Sequence, residues 1–189
     1  EFFVGPFGLL RVVENIDEVT LQGIELSGSA QFNEYFSVNA GFSTIDSEID
    51  SNAIRPFTAG NDAPSVPELT FNFAAQGVFP VNDNMDFVGR LEYSYVGDTW
   101  FHTVQDDIVP ATLFGGPDAD FSRSQVEGYG ITNLRVGLEG DRWSVTAFSR
   151  NLFDENYLAE VISAPEFGGS FVHPGVARTS GLEINYRFR

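Results

Sequence analysis

The stretch Met85 to Gly97, MDFVGRLEYSYVG, alternates between two rows of residues along its whole length. One row consists of Met85, Phe87, Gly89, Leu91, Tyr93 and Tyr95, and the other of Asp86, Val88, Arg90, Glu92, Ser94 and Val96. A period of two predicts a β-strand whose two faces meet different media. Soluble β-sandwiches and transmembrane barrels both produce this pattern, and they imply different functions.

Six further segments alternate in the same way, so the sequence predicts seven strands. They run from about Thr20 to Phe32, Phe36 to Ser43, Glu68 to Phe79, Asn133 to Leu138, Trp143 to Arg150 and Gly181 to Phe188. Short turns alternate with long connections at about Ile45 to Pro67, Thr99 to Glu127 and Asp154 to Arg178. The sequence therefore predicts an all-β, antiparallel up-and-down meander with short turns at one end and long loops at the other, as in outer-membrane barrels.

Strand length and residue placement favour a membrane over a second protein layer. Several segments alternate for about ten residues, which suits the roughly 9–11 residues of a tilted transmembrane strand better than the 5–6 of an average soluble one. Aromatic residues lie near both ends of the apolar rows, as expected at the two membrane boundaries. The polar rows carry the charged residues that we expect to face the inside of the barrel, namely Glu25, Arg90, Glu92, Arg135, Arg150 and Glu183.

Composition excludes several other functions. The chain has 27 acidic residues and ten arginines, no lysine, and a net charge of −17, so a nucleic-acid partner is not expected. It has no cysteine, which rules out disulfides and thiolate metal sites. No stretch approaches the roughly 18–20 consecutive apolar residues of a membrane helix. No nucleophile and base occur at a recognised spacing, and we expect neither an enzyme nor a bound cofactor or metal.

Two parts of the sequence resemble a known family. The run RNLFDENY, Arg150 to Tyr157, followed by RTSGLEINYRF, Arg178 to Phe188, resembles the last two strands of TonB-dependent outer-membrane receptors. The segment Leu21 to Ser43 resembles a strand and short turn several strands earlier in that family. One feature departs from the family pattern, because Arg189 follows the aromatic residue that usually ends these chains.

The resemblance implies an architecture, a function and partners. Residues 1–189 would be the C-terminal part of a single barrel domain, supplying the last seven or so of 22 strands. The receptor would import a scarce large solute, above all a ferric siderophore. Its partners would be outer-membrane lipid and lipopolysaccharide, its own plug and remaining strands, and the TonB complex. We expect the plug and the segment that contacts TonB to lie outside this chain.

The long loops supply the candidate ligand contacts. They carry two histidines, a tryptophan and two acidic pairs, namely Trp100, His102, Asp106, Asp107, Asp118, Asp120 and His173. The acidic pairs do not follow the spacing of a calcium-binding loop. Asn151 and Asp154 are interpreted as turn formers, because their side chains readily bond to the local backbone.

Two alternatives remain open from the residues alone. One is a passive porin or adhesin barrel without a plug, and the other is a soluble β-sandwich that binds carbohydrate through its aromatic residues. A sandwich would cover its apolar rows with a second layer of the same chain, whereas a barrel would leave them for lipid.

Overall fold

The computed structural model describes residues 2–5, 8–11, 15–106, 108–109, 118–164 and 169–188. The strands of these residues are β1 (Phe2–Gly5), β2 (Gly8–Arg11), β3 (Glu18–Asn33), β4 (Phe36–Ser51), β5 (Leu69–Asn82), β6 (Met85–Val96), β7 (Thr99–Trp100), β8 (Ile108–Val109), β9 (Ala119–Asp120), β10 (Gln125–Val126), β11 (Tyr129–Gly140), β12 (Trp143–Arg150), β13 (Leu158–Ala164), β14 (Gly169–Pro174) and β15 (Thr179–Tyr186). Two short 3-10 helices occupy Pro56–Thr58 and Ser122–Ser124.

Seven of these strands form one antiparallel sheet. Their order across the sheet is β3, β4, β5, β6, β11, β12 and β15, which is also their order along the chain. The short turns after β3, β5 and β11 lie at one end of the sheet, and the long connections lie at the other. The predicted seven-stranded up-and-down meander is confirmed.

The strand register keeps like rows together across the sheet. Near its middle, Val38 pairs with Ala75, and Ala75 pairs with Leu91, which in turn pairs with Leu134. The adjacent residue of each strand belongs to a polar row, which forms in the same way from Asn39, Ala74, Glu92 and Asn133. The predicted rows of separate strands therefore combine into one apolar face and one polar face.

The apolar face of the sheet has no second layer over it among the described residues. Leu26 and Ile184 are 64% and 67% exposed, and Leu91 in the middle of the sheet is 39% exposed. The extensive contacts of each of the seven strands are with its neighbours in the sheet. This arrangement contradicts the β-sandwich alternative and leaves the apolar face available to lipid.

Aromatic rings collect at the two ends of this face. At the short turns, Phe32 lies 5.7 Å from Phe36, and Tyr35 lies 6.3 Å from Phe79, measured between ring centroids. Towards the long loops, Phe71 lies 6.1 Å from Tyr93. Membrane barrels carry an aromatic girdle at each end of their apolar band, and these clusters have the same arrangement.

Strand β4 is longer than the sequence predicted. A loop was expected from about Ile45, but β4 continues to Ser51 and pairs with β3 over that length. Beyond the Ile24–Thr44 pair the two faces of this hairpin exchange polarity. The face continuous with the apolar row now carries Asp46, Glu48 and Asp50, and the opposite face carries Ile45, Ser47 and Ile49.

This exchange of polarity indicates where the lipid region ends. Below it, the outward residues Ile24 and Leu26 are apolar and exposed, as for contact with acyl chains. Above it, Ile49 and Ser47 are buried under the loops. The prediction failed because it required one apolar row along the whole strand, whereas β4 continues in the opposite phase.

The buried core of the chain lies in the long loops at this end. The pairs β7–β10, β8–β9 and β13–β14 are short antiparallel hairpins or ladders there. Buried apolar residues of these loops are Ala63, Val104, Ala119, Phe121, Val126, Val161 and Ala164. Within the part of the chain that the structure describes, no helix is long and apolar enough to span a membrane.

Candidate functional site

Two of the long loops are joined by hydrogen bonds. The side-chain amide of Asn61 donates to the carbonyl of Thr103 at 2.9 Å. Gln105 bonds twice to the backbone of Asp62, donating to its carbonyl at 2.9 Å and accepting from its N–H at 3.3 Å. These polar contacts lie beside the buried cluster that contains Val104 and Phe121. The loops after β4 and β6 therefore form one packed unit at the outer end of the sheet.

His102, a predicted ligand contact, lies inside this unit. Its ring stacks on Phe121 with 4.5 Å between centroids, and its Nδ1 accepts a hydrogen bond from the Val104 N–H at 3.0 Å. Its Nε2 lies 3.4 Å from a guanidinium nitrogen of Arg55. Burial, with the Arg55 charge as the second cause, lowers the pKa of His102 from 6.5 to about 4.

The low pKa of His102 predicts a pH-dependent loop unit. Between about pH 6.5 and 4 the unfolded loop binds a proton that the folded loop does not, so the free energy of opening falls as the pH falls. The loss at about pH 4 is on the order of 3 kcal/mol. Hydrogen exchange of the Val104 amide measures this opening. The His102→Asn variant, which keeps a side-chain acceptor for that amide, should lose the pH dependence; an unchanged pH profile in the variant would contradict the assignment to His102.

The second histidine lies among different partners. Nδ1 of His173, on β14, lies 2.6 Å from an Oε2 carboxylate oxygen of Glu160 on β13. This pair is exposed. No group of three or more His, Asp or Glu side chains placed to hold a metal ion occurs among the described residues.

The other predicted ligand contacts occupy varied positions in the outer loops. Trp100 lies on β7, where its carbonyl accepts a hydrogen bond from the N–H of Ser65 at 2.6 Å. Asp106 and Asp118 are exposed. Asp120 accepts a hydrogen bond from the Ser122 N–H, and bonding to Ser122 lowers the pKa of Asp120. Asp107 lies outside the described residues. Ligand contact by these residues stays a prediction.

The predicted interior residues all lie on the polar face. Arg90 and Glu92 form an ion pair at 2.6 Å, and Arg90 also donates to Gln76 at 2.9 Å. Arg135 reaches Glu183 at 3.0 Å from two strands away. These contacts link the polar face from β5 to β15 in a band of charges and amides.

The two remaining interior residues lie on the same face. Arg150 pairs with Thr179, and Glu25 pairs with Ser43. The guanidinium carbon of Arg150 lies 5.8 Å from the ring centroid of Phe148, an aromatic residue within the polar row. Contact between this face and a plug remains a prediction.

Asn151 and Asp154 join the two ends of the last long loop. The side chain of Asn151 is buried; its amide donates to the carbonyls of Glu155 and Val176 at 2.9 and 3.1 Å, and its oxygen accepts from the Glu155 N–H at 2.8 Å. The Asp154 carboxylate accepts from the Arg178 N–H at 3.0 Å. Both residues have the positive φ that Asn and Asp tolerate well, 49° and 58°. Their interpretation as turn formers is confirmed, and we call the pair the loop clamp.

A cavity of about 570 Å³ lies beside the loop clamp. Residues 125–129, residues 155–158 and the end of β14 line it. Two of its walls are tyrosines, Tyr129 and Tyr157, whose rings stack with 4.2 Å between centroids. Sequence reasoning missed this site, although Tyr157 ends the RNLFDENY run that was already singled out.

Comparisons with known proteins agree with the architecture. Residues 3–152 match the family model described as TonB dependent receptor-like, beta-barrel. The ferric yersiniabactin uptake receptor FyuA from Yersinia pestis superposes with a TM-score of 0.72 at 18% identity, over 90% of this chain and 24% of that one. BauA, the ferric preacinetobactin receptor from Acinetobacter baumannii, superposes with a TM-score of 0.67 at 16% identity, over 98% of this chain and 25% of that one.

A third similar structure carries a different cargo. The copper transporter OprC superposes with a TM-score of 0.58 at 16% identity, over 99% of this chain and 26% of that one. At these identities the likeness to solved structures concerns the fold. The chain spans about a quarter of the length of the structures it matches.

Proposed function

This chain belongs to the TonB-dependent receptor-like β-barrel family, and from that membership we propose that it forms the C-terminal barrel wall of a receptor that imports a ferric siderophore. Barrels of this family lie in the outer membrane. The observation that carries the proposal is the seven-stranded meander with one uncovered apolar face, because a membrane barrel places such a face against lipid.

The two faces of the sheet have separate roles in this proposal. The apolar face contacts the acyl chains, and the carboxylates of Asp46, Glu48 and Asp50 begin the lipopolysaccharide region above them. The polar face encloses the plug, which the band of charges around Arg90 and Arg135 holds by further hydrogen bonds. The plug and its TonB-contacting segment belong to other parts of the receptor, and residues 1–189 form part of one barrel domain.

The long loops make the first contact with the solute. The unit built around Val104 and Phe121 keeps two of these loops in a fixed arrangement, so their polar groups are positioned before the solute arrives. FyuA and BauA, which are similar in fold, are named as receptors for ferric yersiniabactin and ferric preacinetobactin, and PiuA from Acinetobacter baumannii is named as a siderophore receptor. We therefore propose a ferric siderophore as the solute class, with energy supplied through TonB.

Uptake of radioactive iron tests this proposal. Cells that depend on the complete receptor should take up a ferric chelate in a saturable manner, and deletion of TonB should abolish the uptake. Uptake that persists without TonB would instead support a passive barrel. Failure to take up any ferric chelate, with intact uptake of another solute such as copper, would retain the receptor and remove the siderophore.

A further inference from the structure

The stacked tyrosines place the cavity on the interior side of the sheet. Tyr129 pairs with Val96, and Val96 with Thr70, and this register belongs to the polar face. The ring of Tyr157 stacks on Tyr129 and so lies on the same side. The cavity is also at the loop end of β11. It therefore lies at the outer mouth of the barrel interior, which a solute must pass.

Two backbone N–H groups and a glycine fix the position of Tyr157, and one of the two donors, Val176, is itself bonded to Asn151 of the loop clamp. The Val176 N–H donates to the Tyr157 hydroxyl at 3.3 Å, and the Gly175 N–H donates to the Tyr157 carbonyl at 2.8 Å. A Cβ at Gly175 would overlap the Tyr157 ring, so the absence of a side chain there is what lets the ring approach. The tyrosine wall is thus held in place without a ligand, which reduces the ordering that binding requires.

Among the described residues that line the cavity, the charged ones are both acidic. They are Glu127 and Glu155, and both are exposed. A carboxylate accepts hydrogen bonds only, so it favours N–H and O–H donors. The face of a tyrosine ring attracts a cation placed within about 6 Å of its centroid. Carboxylates and tyrosine faces together favour an ammonium group, and they disfavour an anion.

We propose that this cavity is a subsite for a positively charged, amine-bearing part of the imported chelate. The inference rests on the proposed function and specifies its substrate class: a chelate with a free ammonium group rather than an anionic tricatecholate. Glu127 and Glu155 bind the ammonium group, and the Tyr129–Tyr157 pair forms the surface against which its alkyl chain and charge pack.

Calorimetric binding to the complete receptor in detergent tests the subsite. The probes are ferrioxamine B, which has a pendant ammonium group, its N-acetylated derivative, which has the same iron centre but no such charge, and an anionic ferric tricatecholate. The variants are Glu127→Gln with Glu155→Gln, and a charge-matched control at the short-turn end of the sheet, Glu34→Gln with Asp83→Asn.

The unmodified receptor should bind ferrioxamine B about 5- to 30-fold more tightly than the acetylated probe, as expected for two ion contacts worth about 0.5–1 kcal/mol each at an exposed site. The Glu127 and Glu155 variant should bind both probes equally, and the control variant should keep the preference. The acetylated probe detects any general damage to the loops, because such damage weakens both chelates.

Three results would overturn the subsite while leaving the receptor function intact. They are equal binding of the two ferrioxamines by the unmodified receptor, a preference that survives in the Glu127 and Glu155 variant, and tighter binding of the tricatecholate. Failure of every ferric chelate to bind would remove both the subsite and the proposed siderophore.

Discussion

The substitution Ala75→Arg is expected to destabilise the barrel by about 2–4 kcal/mol. Ala75 lies in the middle of the apolar face, between Val38 on β4 and Leu91 on β6. In the membrane an arginine at this position would place its guanidinium near the bilayer midplane, far from water and from the polar face. The measurement is reversible unfolding of the complete barrel by guanidinium chloride in phospholipid vesicles.

The adjacent residue supplies a matched control. Ala74 is the same residue type on the same strand, but it lies on the polar face between Asn39 and Glu92. An arginine there would lie beside a carboxylate, and we expect Ala74→Arg to change the stability by less than about 1 kcal/mol. Equal destabilisation by the two substitutions would contradict the assignment of the faces, and a larger effect at Ala74 would reverse it.

The substitution Asn151→Ala is expected to release the last long loop, lowering its free energy of opening by about 3–5 kcal/mol. It leaves the Glu155 N–H and the carbonyls of Glu155 and Val176 without their side-chain partner. It also places alanine in the left-handed conformation, where φ is 49°. Hydrogen exchange of the segment from Glu155 to Arg178 measures the loss.

Asn156 provides the control for this substitution. It is also an asparagine of the same loop, but it is exposed. Asn156→Ala should therefore leave the free energy of opening of the loop within about 0.5 kcal/mol of its value in the unmodified protein. If Asn151→Ala and Asn156→Ala gave the same protection, the loop clamp would have no role in ordering the hairpin of β13 and β14, and the fixed tyrosine wall of the cavity would lose its explanation.

The strands of the sheet were predictable because each carries its own period-two signal. The register of β5 and β6, for example, follows from placing Phe73 and Ala75 on the face that also holds Leu91 and Tyr93, and the observed pairing does so. Charged residues strengthen the signal, since an arginine such as Arg90 is acceptable on one face only. Sequence alone was sufficient here because both faces meet uniform media.

The long-loop end of the sheet was less predictable because the media beside its two faces are not uniform there. Above the Ile24–Thr44 pair the medium outside the sheet changes from lipid to water, and loops cover the inner face, so the row that is buried changes side. A prediction that assumes one constant apolar face therefore places the end of β4 too early in the sequence.

The candidate site was harder to predict than the wall because it depends on contacts distant in sequence. His102 looked like an exposed loop residue, yet Phe121 and Arg55 surround it. Tyr129 and Tyr157 are 28 positions apart, and nothing local indicates that their rings stack. The RNLFDENY run did mark the loop clamp, because Asn and Asp at a strand end favour backbone hydrogen bonds and positive φ.

The central claim is that the apolar face contacts lipid, and spin-label accessibility tests it most directly. This chain has no cysteine, so single cysteines can be introduced and labelled one at a time from Gly89 to Tyr95 in the complete, otherwise cysteine-free receptor in bilayers. Oxygen, which partitions into lipid, should reach labels at Gly89, Leu91, Tyr93 and Tyr95 most readily. Two results at those positions would contradict the account: low accessibility to both oxygen and a water-soluble nickel chelate, or maximal accessibility to the nickel chelate.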